Sequence, residues 1–414
     1  MTCELSFEDI LKKDNNWVLF KNLYKDELSD NVIRETEKML NCRTPGCGFA
    51  KYICPHCGNI KTIPFSCKSK LCSCCGKKHT DIWSQTVSEK LLNCDHRHIV
   101  LTLSDKLWGF FINNASLQKL LLDTAARVIK KAFSRIDGVT TGLILVLHPF
   151  GDDLKANFHV HAVVTCGGLS KDSSKFLNVS YIDYDFIRKV WQYEILTALR
   201  KALPQDKRIL DPVIDWCFKY KTNGFVIFAD RVIKGSKKAA LGYVARYTRH
   251  PPISKRRILD YNGNSVTFSY EAYGKEHIKT IPKFEFIKAV LQHTSSKQFK
   301  TIRRFGLYSR RSSVKYEAAK NLLETCFKPM TGLKDFDWRK NLAIFNGKDP
   351  LACEKCGEEL TLFSITYPDK TGALKTIEKD DWYYEKAPVK RFESLRAVDK
   401  ETPRRQICMP TMPY

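Results

Sequence analysis

The sequence predicts an α+β fold in which helices flank one sheet, preceded by a small cysteine-rich domain of the zinc-ribbon type. Between positions 97 and 249, runs of β-type residues alternate with segments of helical length, which is typical of a sheet covered by helices. Upstream, half of the 16 cysteines lie between positions 42 and 75, where large aliphatic residues are almost absent. Such a segment buries too little apolar surface to fold unaided, so a bound metal is expected.

Periodicity divides the chain into four predicted regions. A lead-in over 1–40 has apolar residues at helical spacing and should form one to three short helices. A zinc-binding and DNA-binding domain follows over 41–94 and ends in a predicted helix over 80–92. The sheet-containing domain spans 95–275, and a basic region spans 276–414.

The elements of the sheet-containing domain follow from its apolar runs. Strands are predicted in HIVLTL, TGLILVLH and FHVHAVVT and over 225–229. Helices are predicted over 117–136, 184–203 and 236–249, and two prolines end the last of them. In the basic region, helices are predicted near 284–292 and 315–326, on either side of the segment KTIRRFGLYSRRSS.

The charge balance points to a polyanionic partner. The 414 residues include 69 Lys and Arg against 45 Asp and Glu, which gives a formal net charge of +24. A surplus of this size attracts nucleic acid or an anionic membrane surface. The longest apolar runs have six or seven residues, whereas a membrane-spanning helix needs about 18–20. We therefore expect nucleic acid as the partner and no membrane. Together with the motifs below, this leads us to expect DNA and no small-molecule substrate.

The N-terminal stretch predicts the cellular compartment. MTCELSFEDILKKDNN lacks the basic start, apolar run and small-residue cleavage site of a secretory signal. A cytoplasmic, nucleoid-associated protein is therefore expected. In a reducing compartment, clustered cysteines indicate metal ligands and not a disulfide framework.

Two C-x-x-C pairs carry the strongest metal signal. Cys54 and Cys57 form one pair, Cys72 and Cys75 form the other, and fourteen residues separate them. Two knuckles at this spacing can arrange four thiolates tetrahedrally around Zn²⁺. The alternatives are chance clustering, or reduced cysteines that only pack.

One or two zinc ions are predicted, because further ligands lie nearby. The candidates for a second site are Cys42, Cys47 and Cys67, with His56 or His79. A distant C-x-x-C pair, Cys353 and Cys356, is half a site, for which only Cys326 and Cys408 remain as candidate partners.

A histidine-rich strand predicts a second kind of metal centre. In FHVHAVV, the period of two places His159 and His161 on one face and the apolar residues on the other. Strand histidines are often satisfied core or edge residues, so a third imidazole matters. His148 ends the preceding strand, and Asp152 or Asp153 in the intervening loop is the alternative ligand. Three imidazoles with open coordination positions would hold a divalent ion that polarises a phosphoryl oxygen.

Two tyrosines share one side of the predicted helix over 236–249. Tyr243 and Tyr247 lie about 40° apart at 100° per residue, away from the apolar face. Tyrosines at this spacing are common, so the spacing alone is a weak signal. A phenol with a pKa of about 10 is barely ionised at neutral pH and needs a metal or arginine to attack phosphorus. Attack on a DNA phosphodiester would give a phosphotyrosine and a free 3′-hydroxyl, and two phenols would allow two successive strand transfers.

Basic and aromatic residues provide the predicted DNA contacts. The phosphate-contacting candidates are Arg246, Arg249, Lys255, Arg256, Arg257, Arg303, Arg304, Lys68 and Lys70. Phe305 and Tyr308 are expected to stack on unpaired bases. The alternative for the basic residues is a solvated face.

Taken together, the motifs resemble the HUH single-strand nucleases, and among them the two-tyrosine rolling-circle transposases typified by insertion sequence ninety-one. The resemblance covers most of 42–313 and rests, in this order, on CRTPGCG, ICPHCG, SCKSKLCSCCGKKH, HPFGDDLKANFHVHAVV, YVARYTRHPPIS and KTIRRFGLYSRRS. The extra cysteines Cys47 and Cys74 depart from the family pattern and leave individual zinc ligands open.

The resemblance implies a fold and a set of roles. The domain over 95–275 would be the catalytic HUH domain, with a central antiparallel sheet that carries the histidines. His159, His161 and His148 would bind Mg²⁺ or Mn²⁺, Tyr243 and Tyr247 would be the nucleophiles, and the N-terminal domain would bind zinc and DNA. The order of histidines before tyrosines is similar to that of replication initiators and transposases, not of conjugative relaxases.

The function implied is that of a rolling-circle DNA transposase. It would nick single-stranded DNA at element ends through 5′-phosphotyrosine intermediates and transfer the strand to a target. One alternative is a plasmid rolling-circle replication initiator with the same nicking chemistry. The other is a non-catalytic, zinc-dependent DNA-binding regulator.

Overall fold

The computed structural model describes residues 5–73, 75, 90–135, 138–229, 232–233, 251–272, 274–294, 296–324, 339, 347–369 and 371–378. The chain divides into two compact units, each formed by two separate stretches. We call them the histidine unit (Met1–Ile33 and Gly76–Met330) and the cysteine unit (Arg34–Cys75 and Thr331–Tyr414). The four regions predicted from the sequence are consecutive, because pairing between distant stretches leaves no local signal in it.

The described helices and strands are numbered in chain order. The helices are α1 (Phe7–Lys12), α2 (Asn16–Leu23), α3 (Asp30–Leu40), α4 (Asp105–Phe111), α5 (Ala115–Ser134), α6 (Tyr184–Ala202), α7 (Lys207–Tyr220), α8 (Lys283–Leu291) and α9 (Ser313–Glu324). The strands are β1 (Phe49–Ile53), β2 (Ile60–Pro64), β3 (His96–Thr102), β4 (Thr140–Phe150), β5 (Ala156–Leu169), β6 (Phe176–Asn178), β7 (Ile227–Ala229), β8 (Ile258–Tyr261), β9 (Ser265–Ala272), β10 (Lys275–Pro282), β11 (Ile302–Gly306), β12 (Thr361–Pro368) and β13 (Leu374–Glu378).

An antiparallel sheet forms the centre of the histidine unit. Its order is β11-β4-β5-β3-β7, and β6 pairs with the far end of β5. One face of β5 carries Phe158, Val160, Ala162 and Val164, which lie in the main core with apolar residues of α5 and α6. The fully buried Trp191 of α6 packs there as well. The strand with two of the histidines, β5, lies in the middle of this order. The predicted α+β fold with a central antiparallel sheet is confirmed.

A smaller sheet of β8, β9 and β10 packs against the N-terminal helices. The ring of Phe286 on α8 lies 5.6 Å from that of Phe268 on β9 and 6.0 Å from that of Phe7 on α1. The side-chain amide of Asn16 donates to the hydroxyl of Tyr261 at 2.6 Å. The predicted lead-in helices are therefore part of the histidine unit, at least up to its boundary at Ile33.

The cysteine unit contains a four-stranded antiparallel sheet in the order β13-β12-β1-β2. The hairpin of β1 and β2 comes from the N-terminal stretch, and that of β12 and β13 from the C-terminal stretch. Its core combines both, with Ala50 and Tyr52 packed near Leu360 and Ile63.

Several elements differ from the sequence expectation. The basic segment around KTIRRFG forms β11 at the edge of the central sheet, where it pairs with β4. Helix α7, which carries an internal proline at Pro212, was not predicted. The predicted helix over 236–249, and most of the one over 80–92, lie outside the described residues. Among the described helices, none combines the length and apolar character that crossing a bilayer requires.

Candidate functional site

Three histidines converge at one end of the two central strands. His148 on β4 is the register partner of His159 on β5, and the next pair on the same face places Val146 opposite His161. Nε2 of His159 lies 3.2 Å from Nδ1 of His148 and 3.0 Å from Nε2 of His161. Alternation along β5 puts both of its histidines on the face opposite the main core. The structure therefore brings together the three imidazoles that the sequence predicted.

In His159 and His161, the ring nitrogen Nδ1 also has a partner. Nδ1 of His159 lies 2.7 Å from the carbonyl oxygen of Asn157, so Nδ1–H donates and Nε2 keeps its lone pair. Nδ1 of His161 lies 2.9 Å from Nε2 of His98 on β3, and the two rings stack 5.1 Å apart. His98 is buried, and no local pattern in the sequence predicts its place beside His161.

This donor set fits a divalent ion. Metal–nitrogen bonds of about 2.1 Å bring neighbouring ligand nitrogens to about 3 Å from one another, as observed for two of the three pairs. Burial lowers the pKa of both His159 and His161, which keeps these imidazoles neutral and able to coordinate. Imidazole ligands suit several transition ions, and water or phosphate oxygens could fill the remaining positions.

The loop between β4 and β5 does not supply the alternative carboxylate ligand. The metal-compatible group among the described residues contains the three histidines and neither Asp152 nor Asp153. Instead, Arg257 donates to the backbone carbonyl of Asp152 and, at 2.8 Å, to that of Ser269. Arg257, predicted to contact phosphates, thus binds within the histidine unit and ties this loop to β9.

A second contact fixes the same loop beside the histidines. The ring of Phe150 lies 4.5 Å from that of His148 and 4.3 Å from that of His293. Nε2 of His293 lies 3.0 Å from the carbonyl oxygen of Leu154. Burial lowers the pKa of His293 to about 4, so this imidazole stays neutral at pH 7.

The predicted nucleophiles lie in a part of the chain that is not described. Tyr243 and Tyr247 fall within 234–250, as do Arg246 and Arg249. The nearest described positions are Ile233 before this segment and Pro251 after it.

The remaining DNA-contact candidates have varied surroundings. Arg303 on β11 pairs with Asp123, and its guanidinium lies 5.0 Å from the centre of the Phe305 ring. Lys68 and Arg256 are exposed, whereas Lys70, Lys255 and Arg304 are half-buried. Tyr308 is buried, and its hydroxyl lies 2.7 Å from Nε2 of His96. The prediction that Tyr308 stacks on unpaired bases is therefore wrong.

The cysteines form two separate groups. In the first, Sγ of Cys75 lies 3.6 Å from those of Cys42 and Cys67, and Sγ of Cys72 lies 3.7 Å from that of Cys42. Backbone N–H groups of Cys67 and Ser69 point at the sulfurs of Cys42 and Cys67. These hydrogen bonds favour thiolates and so favour metal binding.

The second group joins distant parts of the cysteine unit. Cys54 and Cys57 lie beside Cys353 and Cys356, not beside Cys72 and Cys75 as predicted. The prediction that Cys54, Cys57, Cys72 and Cys75 form one site is therefore wrong. Because β12 pairs with β1, the knuckle of Cys353 and Cys356 lies beside the knuckle of Cys54 and Cys57. This pairing supplies the missing half of the site that we expected only at Cys326 or Cys408, both outside the described residues.

Cys47 belongs to neither group, although it was a candidate zinc ligand. Its sulfur approaches the carbonyl oxygen of Lys38 at 3.7 Å, and burial raises the pKa of its thiol. His56 in the first knuckle is exposed and outside both groups, and His79 is not described.

Comparisons with known proteins agree with these two functional regions. A family profile described as "Putative transposase" matches residues 142–315, and one described as "Transposase zinc-binding domain" matches residues 13–103. No solved structure matches the chain.

Two curated relatives extend over most of the sequence. The chain is 29% identical to "Transposase for insertion sequence element IS801" of Pseudomonas savastanoi pv. phaseolicola, over 80% of this chain and 83% of the relative. It is 26% identical to "Putative transposase y4qJ" of Sinorhizobium fredii, over 65% of this chain and 72% of the relative. With both the zinc-binding and the transposase profile matched in the expected order, the chain belongs to the insertion sequence ninety-one family of transposases.

Proposed function

We propose that this transposase moves DNA by a rolling-circle mechanism, in which it nicks single-stranded DNA at element ends and transfers the strand to a target. The observation that carries the proposal is the convergence of three imidazoles on the two central strands of the sheet. A Mg²⁺ or Mn²⁺ ion held there by His148, His159 and His161 would polarise the scissile phosphate.

Tyr243 and Tyr247 act as the nucleophiles of the proposed reaction. The phenol oxygen of one tyrosine attacks phosphorus, the bond from phosphorus to the 3′-oxygen breaks, and that oxygen leaves as a 3′-hydroxyl after taking up a proton. The 5′ phosphate stays on the tyrosine. In the joining step, a 3′-hydroxyl attacks phosphorus and the phenol is regenerated. A second tyrosine holds one strand while the first is still occupied.

The described residue that precedes the tyrosines, Ile233, lies at the opposite end of β3 from His159. Ile233 bridges to His96 at one end of β3, whereas Thr102 at the other end is the register partner of His159. Six residues of strand separate these levels by about 20 Å. Tyr243 and Tyr247 lie ten and fourteen positions beyond Ile233 in the sequence, and ten residues of chain can span up to about 33 Å. This length is sufficient to reach the histidines from Ile233.

Covalent capture tests this proposal. A 3′-labelled single strand carrying an element end, incubated with the full chain and Mn²⁺, should form a labelled adduct with the protein. We expect the double variant Tyr243→Phe/Tyr247→Phe and the variant His161→Ala to form none. The matched control is Tyr181→Phe, because the Tyr181 side chain is 73% exposed on the histidine unit and should form the adduct at the wild-type level.

The joining step separates the alternatives. Two element ends and a single-stranded target should give joined products with the wild type, and each single tyrosine variant should block a different step. Nicking without joining would favour a replication initiator. Absence of any tyrosine-dependent adduct would favour a DNA-binding protein without catalysis and refute the proposal.

A further inference from the structure

The distal C-x-x-C pair has the same backbone geometry as the first knuckle. In the first, the N–H of Gly58 donates to the carbonyl of Cys54 at 2.9 Å, and in the second the N–H of Gly357 donates to that of Cys353 at 2.9 Å. Both glycines have positive φ, 69° and 78°, which lets the chain fold back tightly. Two identical turns of this kind present their thiols in the same way.

The four thiols of these knuckles face one another. Sγ of Cys54 lies 3.4 Å from that of Cys356, and Sγ of Cys57 lies 3.6 Å from that of Cys353 and 3.5 Å from that of Cys356. All four cysteines are free and do not form disulfides. A tetrahedral ion with bonds of about 2.3 Å to sulfur separates its sulfurs by about 3.8 Å. The observed spacing is close to that value.

Hydrogen-bond donors surround the sulfur of Cys353 in the second knuckle. Backbone N–H groups of Cys356 and Lys355 point at this sulfur. The side-chain amide of Asn59 points at the same sulfur, 3.7 Å away. Cys54 and Cys353 are buried, whereas Cys57 and Cys356 are exposed, so that the site lies at the surface of the sheet.

We propose that Cys54, Cys57, Cys353 and Cys356 bind a zinc ion that joins the N-terminal and C-terminal stretches of the cysteine unit. It is distinct from the zinc of the group formed by Cys42, Cys67, Cys72 and Cys75. Four thiolates leave no open coordination position, so the role of this ion is structural.

Strand pairing makes the ion part of one folded unit. Ile53 of β1, which directly precedes the first knuckle, is the register partner of Thr361 of β12, which follows the second. The core beneath them contains Tyr52 from one stretch and Leu360 from the other. The zinc-binding domain that matches over 13–103 therefore supplies only half of the ligands of this ion. The cysteine unit is complete only when the C-terminal stretch has folded onto it.

Metal content of the full chain tests the proposal without reference to DNA cleavage. Elemental analysis of the purified wild type should find two zinc ions per chain, and the variant Cys353→Ser/Cys356→Ser should retain one. The matched control is Cys47→Ser, which changes a cysteine of the same unit outside both groups and should retain two.

Cobalt substitution provides a second measurement if the double serine variant fails to fold. Replacing Cys356 by His keeps four ligands but exchanges one sulfur for nitrogen. The visible bands of bound Co²⁺ should therefore move to shorter wavelength and weaken, while two ions remain bound. One zinc in the wild type, two in the double serine variant, or an unchanged cobalt spectrum in Cys356→His would overturn the proposal. Iron instead of zinc in the purified protein would overturn the choice of metal.

Discussion

His161 uses its two ring nitrogens for different contacts. Nε2 lies 3.0 Å from Nε2 of His159, and Nδ1 lies 2.9 Å from Nε2 of His98. When Nε2 coordinates a metal, the proton must sit on Nδ1 and donate to His98. The buried His98 would thereby fix both the ring orientation and the tautomer of His161 when this residue binds a metal.

We expect His98→Phe to weaken divalent-metal binding by about 10–100-fold, because partners of ligand histidines contribute on this scale. Phe keeps an aromatic ring next to His161 but removes the acceptor nitrogen. Calorimetric titration of the full chain with Mn²⁺ measures the change. The matched control is His277→Phe, at an exposed position on β10, which should bind Mn²⁺ as the wild type does. Equal affinity of the His98 variant and the wild type would refute the role of His98.

His96 should make the stability of the histidine unit depend on pH. Burial lowers its pKa to about 4 from an ordinary 6.5, and its Nε2 lies 2.7 Å from the hydroxyl of Tyr308. Below pH 6.5 the unfolded chain therefore binds a proton that the folded chain does not, so stability falls as the pH falls towards 4. Between pH 7 and pH 5, the titration of this histidine should lower the free energy of unfolding by about 2 kcal/mol.

Urea unfolding at the two pH values, followed by tryptophan fluorescence, measures this cost. The comparison is with His96→Gln, which can still bond to Tyr308 but does not titrate. We expect the variant to lose about 2 kcal/mol less than the wild type between pH 7 and pH 5. The same loss in both proteins would show that His96 is not buried in its neutral form.

Individual site residues were predictable from the sequence where the signal was local. The period of two identified His159 and His161, and their spacing from His148 allowed a hairpin. His98 was missed because its contact with His161 spans 63 positions, and the pairing of β3 with β5 that creates it has no sequence signature. The partners of Cys353 were missed for the same reason.

At the scale of elements, the close pairing of β11 with β4 requires a glycine at position 306. Gly306 has φ of +59°, and a Cβ added there would lie 1.8 Å from the carbonyl oxygen of Thr141 on β4. That oxygen also accepts a hydrogen bond from the N–H of Leu307, at 3.1 Å. An added methyl group would therefore push the edge strand away from the central sheet.

We expect Gly306→Ala to destabilise the histidine unit by about 3–4 kcal/mol, which combines the left-handed backbone and the clash. Gly138→Ala is the matched control, because Gly138 has φ of +63° and nothing within 4 Å of an added Cβ. Gly138→Ala should lower the free energy of unfolding by only about 1–2 kcal/mol, the effect of a left-handed backbone at a residue with a Cβ. Midpoints of urea unfolding measure both. Equal losses in the two variants would show that β11 is not held against β4 as described.

Strands and helices could be predicted from the sequence where one face of the element, or the whole element, is buried. The apolar runs of β4 and β5, and the periodic α5 and α6, were found within a few residues of their observed ends. The sequence of β11 indicates a basic segment, because Arg303 and Arg304 dominate its composition. In the structure β11 instead pairs with β4 in the central sheet. Arg303 forms a salt bridge with Asp123, and its guanidinium contacts the ring of Phe305.

At the scale of the whole molecule, each unit is formed by stretches far apart in the sequence. The core of the histidine unit is large and apolar, and includes fully buried side chains such as Phe111, Phe133 and Trp191. The core of the cysteine unit consists of a few residues around the knuckles. We therefore expect the two units to respond differently to the loss of metal, with the cysteine unit losing the larger share of its folding free energy.

Removal of zinc should unfold the cysteine unit and leave the histidine unit folded. After treatment with a chelator, amide hydrogen exchange should become fast in β1, β2, β12 and β13 together, since β1 and β12 form the middle of one sheet. Amides of β3, β4 and β5 should keep their protection, because their core is sufficient without zinc. Restoring Zn²⁺ is the control and should restore protection in all four strands. Continued protection of β12 and β13 in the chelated protein would mean that the C-terminal hairpin folds independently of the thiolate sites.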